Sequence, residues 1–282
     1  MGCKQQFEGI TMTSNSTGRS IFITGGGSGI GRAAALHFAA RGWFVGVADI
    51  NEAGMAETLG QIAGDAKWSG KLDVRDRKGW DEALAAFAAA AGGRIDALVN
   101  NAGIGTGGSL SELDPEEIDR CLDINLKGVL YGAQAVYPWL QKTAPGSALV
   151  NIASAAGIAG SAGMSVYCAT KFGVRAVTES LDAEWAPDGI TVASVCPSFI
   201  DTPLLNGTGN RKSNEPIRER VKAAGLEITP VSHVAQAVWD AVHGTKLDYF
   251  VGETSKRMAF AKRWMPGRVR KQLRNSLRPL GQ

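Results

Sequence analysis

Tyr167 and Lys171, in the stretch YCATK, stand four residues apart. On a helix that spacing puts both side chains on one face, within reach of one ligand. A free tyrosine ionises near pH ~10, too high for a good base at neutrality. A neighbouring ammonium favours the phenolate and lowers that value. Such a pair can take a proton from a hydroxyl and return it to a carbonyl oxygen. The pattern is weak by itself, because Tyr and Lys commonly share a solvated helix face. The elements around it must decide.

Apolar strand-like runs alternate with helix-like stretches along most of the chain. Strands are predicted at 20–24, 43–49, 71–74, 95–100, 147–154 and 190–197, with a short last one at DYFVG. A helix begins at Gly31, a long one spans Asp114 to Lys142, and others cover 164–185 and 231–243. Asp114, Pro115 and Glu117 make a capping box with proline at the first helical position. This alternation implies α/β architecture, a parallel sheet covered on both faces in a doubly wound fold.

The first strand runs into TGGGSGIG, residues 24–31, and then into a helix. Gly25 allows a sharp turn, Gly29 lets the backbone approach a pyrophosphate, and Gly31 allows close helix packing. The helix N-terminus offers free N–H groups and a positive dipole end to phosphate. Ser28 and Ile30 complete the loop.

The spacing T-G-x-x-x-G-x-G, together with Y-x-x-x-K, resembles the short-chain dehydrogenase/reductase family, over roughly residues 19–253. The resemblance implies a single-domain Rossmann fold and an oxidoreductase that moves a hydride between a nicotinamide cofactor and a secondary alcohol or ketone. Asp49 ends the second strand, where a carboxylate accepts hydrogen bonds from both adenosine ribose hydroxyls and repels a 2′-phosphate. It favours NAD over NADP; its other reading is a cap for the helix after 51. Asp73 and Val74 match the family's adenine contact. Asn101, Ala102 and Gly103, in NNAG at 100–103, match the motif that braces the sheet and lines the cofactor site. Pro197 and Thr202 match its nicotinamide contacts, although Ser198 stands where the family often has glycine.

The same resemblance supplies the partners of Tyr167 and Lys171. Ser154, thirteen residues before Tyr167, is expected to hold the substrate oxygen. Asn125, in DINLKG, is expected to hold a water linking Lys171 to solvent. The positive nicotinamide is expected to help lower the Tyr167 pKa. Residues 198–228 read as a substrate lid, and Phe199, Leu204, Leu205, Ile158 and Met164 as apolar lining that suits a lipophilic substrate. The family implies a homotetramer or homodimer paired through the Tyr167 helix. A non-catalytic dinucleotide sensor or scaffold, or an NADP-dependent carbonyl reductase, is the alternative reading.

The 282 residues are 44% hydrophobic and 20% charged, the balance of an ordinary globular protein. Cys3, Cys121, Cys168 and Cys196 form no C-x-x-C pair, and there are three histidines, which argues against a disulfide framework or a metal site. A cytoplasmic setting is expected. Residues 1–18 lack a signal-peptide core and read as a disordered leader, an upstream start with Met12 as the alternative start, or an added segment. From Lys256 to Gln282 the chain carries nine Lys or Arg and no Asp or Glu, while the rest is net acidic. This basic extension, 254–282, is expected to cover the substrate site or a subunit contact, with Met258, Phe260, Trp264 and Met265 buried. Peripheral membrane contact ranks second. No recognition motif supports nucleic-acid binding.

Overall fold

A computed structural model describes residues 18–208 and 214–275. Seven strands, β1 (Ser20–Thr24), β2 (Phe44–Asp49), β3 (Lys67–Lys71), β4 (Ala97–Asn100), β5 (Ala148–Ile152), β6 (Thr191–Pro197) and β7 (Asp248–Val251), form one parallel sheet in the order β3-β2-β1-β4-β5-β6-β7. The order reverses between β1 and β4. In such sheets a crevice opens beyond the strand C-termini at that point.

Ten α-helices are described. They are α1 (Gly29–Ala39), α2 (Glu52–Gly60), α3 (Arg77–Ala90), α4 (Pro115–Leu122), α5 (Gly128–Thr143), α6 (Ser165–Trp185), α7 (Ile217–Ala223), α8 (Val231–His243), α9 (Glu253–Trp264) and α10 (Pro266–Asn275). Alternate residues of each central strand feed opposite cores. Ile21, Ile23, Val45 and Val47 pack with Phe38 of α1 and Val238 of α8. Phe22, Leu98 and Leu149 pack on the other side with Trp80 and Phe87 of α3 and Val136 of α5. Strands buried on both faces read as continuous apolar runs, which is how β1, β4 and β5 look.

Two predicted elements differ. The third strand is Lys67–Lys71, not 71–74. Leu72 and Val74 are apolar because they are buried where the chain turns over the sheet end, not because they pair in it. The long helix is not uniform. A π turn, Asp123–Lys127, joins α4 to α5 and contains Asn125. The capping box of α4 is present, with Glu117 accepting from the Asp114 N–H at 3.0 Å.

The segment read as a lid is not wholly irregular, because it includes α7. Residues 209–213 of it, and the expected leader up to residue 17, lie outside the described residues. The basic extension forms α9 and α10, broken at Pro266 as a proline within the pattern requires. Met258 and Ala259 pack beside Val129, Val174 and Cys196. Phe260 and Trp264, expected to be buried, are 61% and 65% exposed. No described helix is long and apolar enough to cross a membrane.

Candidate active site

The loops after β1 to β6 surround one cavity of about 390 Å³. Gly25, Ser28, Gly29, Ile30, Asp49, Asp73, Val74, Asn101, Ala102, Gly103, Ser154, Tyr167, Lys171, Pro197 and Thr202 all line it. Two predicted residues do not. Gly31 lies behind the loop, where a Cβ would run into the Gly25 carbonyl oxygen and stand 2.7 Å from Asn101 Nδ2. The close approach that demands glycine is therefore to the loop and Asn101, more than to the sheet. Asn125, fully buried, is the second.

The glycine loop is held from below. Asn101 Nδ2 donates to the Thr24 carbonyl at 2.8 Å, and Thr24 Oγ1 accepts from the N–H groups of Asn101 and Ala102 at 3.1 Å. Gly25 takes φ +66°, a conformation that costs other residues. Ser28 is the N-cap of α1 but makes no side-chain cap bond, and the first turn has no acidic residue. The positive end of α1 thus faces the cavity without a competing side chain.

Asp49 Oδ2 accepts from the Gly27 N–H at 2.9 Å, and Oδ1 from the Asn51 N–H at 3.0 Å. It ties the glycine loop to the tip of β2. The cap of α2 is Asn51, which accepts from the Gly54 N–H at 3.1 Å, so Asp49 is not the helix cap. Arg32 is turned away from the cavity mouth: its guanidinium donates to the Gly27 carbonyl at 2.6 Å, to Thr58 at 3.0 Å and to Glu57 at 2.9 Å. The Arg75 guanidinium grips Asp73 and holds its carboxyl below the usual range.

At the other end Lys171 and Tyr167 project from α6. Lys171 Nζ donates to the Ile152 carbonyl at 2.8 Å and sits 5.8 Å from the centre of the Tyr167 ring. Burial lowers Lys171 to about 8. Burial pushes Tyr167 up to about 12, against a smaller downward pull from its hydrogen bond with Ser154. This is opposite to the direction expected from sequence, because burial desolvates the phenolate. Ser154 Oγ also accepts from the Ala156 N–H at 3.1 Å, which orients the hydroxyl.

Asn125 works through the chain beside it. Its Oδ1 accepts from the Ile104 N–H and its Nδ2 donates to the Ile104 carbonyl, both at 2.8 Å. It pins the loop that follows β4, and Ile104 lines the cavity.

The apolar lining is partly as expected. Leu204 and Leu205 contribute, but Phe199 and Met164 are not in the wall, and Ile158 is buried in the core with Val174 and Cys196. Sequence reasoning missed Ile50, Ile104, Ile124 and Ile200, which line the cavity from loops and the π turn. For Ile50 the signal was adjacency to Asp49. For the others the approach is made by distant segments, and spacing gives none. No residue of α9 or α10 lines this cavity, so the expected covering of the site by the tail is not seen.

Residues 19–213 match the family described as short chain dehydrogenase. The chain belongs to the short-chain dehydrogenase family of oxidoreductases. Among other members, a probable oxidoreductase of Mycobacterium tuberculosis, EphD, is 38% identical over 194 residues, which cover 67% of this chain and 32% of that one. The chain thus spans about a third of the length of that relative. The 2,5-dichloro-2,5-cyclohexadiene-1,4-diol dehydrogenase LinX of Sphingobium indicum is 35% identical over 196 residues, covering 68% of this chain and 77% of that one. A crystal structure of a short-chain dehydrogenase/reductase from Burkholderia phymatum in complex with NAD superposes with a TM-score of 0.79 at 25% identity, covering 95% of this chain and 99% of that one. The parallel seven-stranded sheet of this short-chain dehydrogenase is the fold of those structures.

Proposed function

We propose that this chain interconverts a secondary alcohol and its ketone with NAD(H), using Tyr167 as the acid/base. One observation carries the reading: the glycine loop, Asp49 and the Ser154–Tyr167–Lys171 cluster open onto a single cavity.

The residues present fit a dinucleotide. The uncapped, acid-free N-terminus of α1 suits a pyrophosphate, Gly29 leaves out a side chain that would face Thr202 across the cavity, and Gly25 lets the loop pack on Asn101 and Ala102. Asp49 keeps lone pairs for the adenosine ribose hydroxyls. With Arg32 engaged by Glu57, no loop cation stands ready for a 2′-phosphate, which favours NAD. Ala102, Gly103, Pro197 and Thr202 would flank the nicotinamide end. The related structure in complex with NAD supports the same cofactor. The bound nicotinamide supplies the hydride acceptor or donor.

The chain's own residues manage the proton. Ser154 holds the substrate oxygen. Tyr167, protonated at neutral pH because burial raises it to about 12, is set to donate to a carbonyl. Alcohol oxidation needs the phenolate. Rising pH favours it, and the Lys171 cation assists until it titrates near 8. LinX, a diol dehydrogenase by name, acts on carbinol groups of that kind, and Leu204 and Leu205 suit a lipophilic substrate. Exposed Leu130 on α5 and Phe172 on α6 support the homodimer or homotetramer expected through the Tyr167 helix. Buried free thiols at Cys121, Cys168 and Cys196 support a cytoplasmic setting.

The test is a panel of lipophilic secondary alcohols with NAD⁺ or NADP⁺, followed by reduced-cofactor absorbance. Turnover with NAD⁺ is expected. A preference for NADP⁺ would overturn the reading of Asp49. Tight NADH binding without turnover on any alcohol or ketone would favour a dinucleotide sensor.

A further inference from the structure

The α9 helix is amphipathic with its aromatic face turned outward. Met258, Ala259 and Ser255 lie inward, toward β6 and α6. On the outer side Phe260 and Trp264, one helical turn apart, are 61% and 65% exposed. Neither belongs to the active-site cavity. Lys256, Arg257 and Arg263 flank them, and the Arg263 guanidinium stands 5.3 Å from the Trp264 ring centre. An exposed aromatic pair of this size needs a reason.

The charges around this pair are mostly basic. Glu253 is the last acid in the chain, and it engages Lys256 and Arg257 only through exposed, long pairs. Lys262, Arg263, Arg268, Arg270, Lys271 and Arg274 have no ion pair among the described residues. Three of them, Lys262, Arg270 and Arg274, surround a groove of about 650 Å³ between the two tail helices and the loop carrying Gly160 and Ala162. Val269 and Leu273 line its apolar part, and no carboxylate does. A cationic groove with apolar walls suits an anionic headgroup attached to a hydrocarbon.

We infer that α9 and α10 dock the protein onto an anionic lipid surface, with Phe260 and Trp264 entering the interface and the tail cations gripping lipid phosphates. Charge complementarity selects this occupant. A second copy facing α9 across a two-fold axis would bring two mostly cationic faces together, which is unfavourable. Interfacial helices combine aromatic side chains with Lys and Arg in this way, and lie in the membrane plane without crossing it.

The test uses the full chain with phosphatidylcholine vesicles, alone or containing about one third phosphatidylglycerol, read by co-sedimentation. Binding to the anionic vesicles only, weakened by salt, is expected. Phe260→Ser/Trp264→Ser should bind them at least about tenfold more weakly, with solution mass and melting temperature unchanged. Absence of binding to anionic vesicles, or equal binding by the double variant, would overturn the inference. So would a fall in the double variant's solution mass, which would assign this face to a subunit contact.

Discussion

The glycine loop beyond β1 and the Ser154–Tyr167–Lys171 cluster beyond β5 face one cavity, but they are built from different materials. The first is main chain, shaped by where side chains are missing, with Asn101 and Asp49 tying it down from behind. The second is buried titratable side chains, each pushed from its ordinary ionisation by the same desolvation. A change at the first end should act through packing. A change at the second should act through protons and charge, with the fold intact.

The sharpest break of that comparison is Tyr167→Phe. It removes one oxygen and leaves the ring. Turnover should fall by about 10²–10⁴-fold, the range for a lost general acid/base. The melting temperature should move by no more than a few degrees, since only the bond with Ser154 is lost. A large drop in melting temperature would show that the catalytic end also carries structural load.

Lys171→Met tests the charge. Lys171 titrates near 8 in the fold, below its ordinary 10.5, because burial penalises the cation. The unfolded chain therefore binds this proton more tightly between those values, and the penalty is full below about 8 and relieved as pH rises toward 10.5. It amounts to at most about 3 kcal/mol. Wild type should thus gain stability relative to Lys171→Met between pH 7.5 and 10, measured by denaturant unfolding. Tyr167, raised to about 12 in the fold, stays protonated there across this window. A difference independent of pH would mean the ammonium is not desolvated.

Gly31→Ala probes the main-chain end. The added methyl meets the Gly25 carbonyl and Asn101, and the helix must shift. A loss of about 1–3 kcal/mol, seen as a melting temperature several degrees lower, should accompany weaker NADH binding. Normal stability with normal binding would show that the loop yields easily.

The same division explains what could be read from sequence. TGGGSGIG between a strand and a helix is local, and its glycines need no distant partner to be legible. The Tyr167–Lys171 spacing is equally local, as is the strand–helix alternation. What was hidden depends on segments far apart in the chain. Arg32 is engaged by Glu57, 25 residues away. The Asn125 amide meets Ile104, 21 residues away, across the π turn. Leu72 and Val74 read as strand because burial at a loop and burial in a sheet leave the same apolar letters. Ile158 read as cavity lining, because apolarity does not say which neighbour arrives. The sign of the Tyr167 shift was missed because pattern shows the nearby ammonium but not the depth of burial.

The smallest effect is expected at Ser198, where the two ends of the cavity come nearest in character. It follows β6, lines the cavity, and stands where the family often has glycine. Its main-chain N–H donates to the Val251 carbonyl at 3.0 Å, but its hydroxyl is buried with no hydrogen-bond partner. A buried hydroxyl without a partner costs free energy, so Ser198→Ala should leave stability unchanged or raise it by up to about 1 kcal/mol. NADH affinity divides the remaining readings. If the hydroxyl is only a packing residue, affinity stays the same. If affinity weakens several-fold, the hydroxyl finds its partner on the cofactor, and this side chain joins the catalytic end as a binding group. A loss of stability instead would mean that the hydroxyl is satisfied within the protein after all.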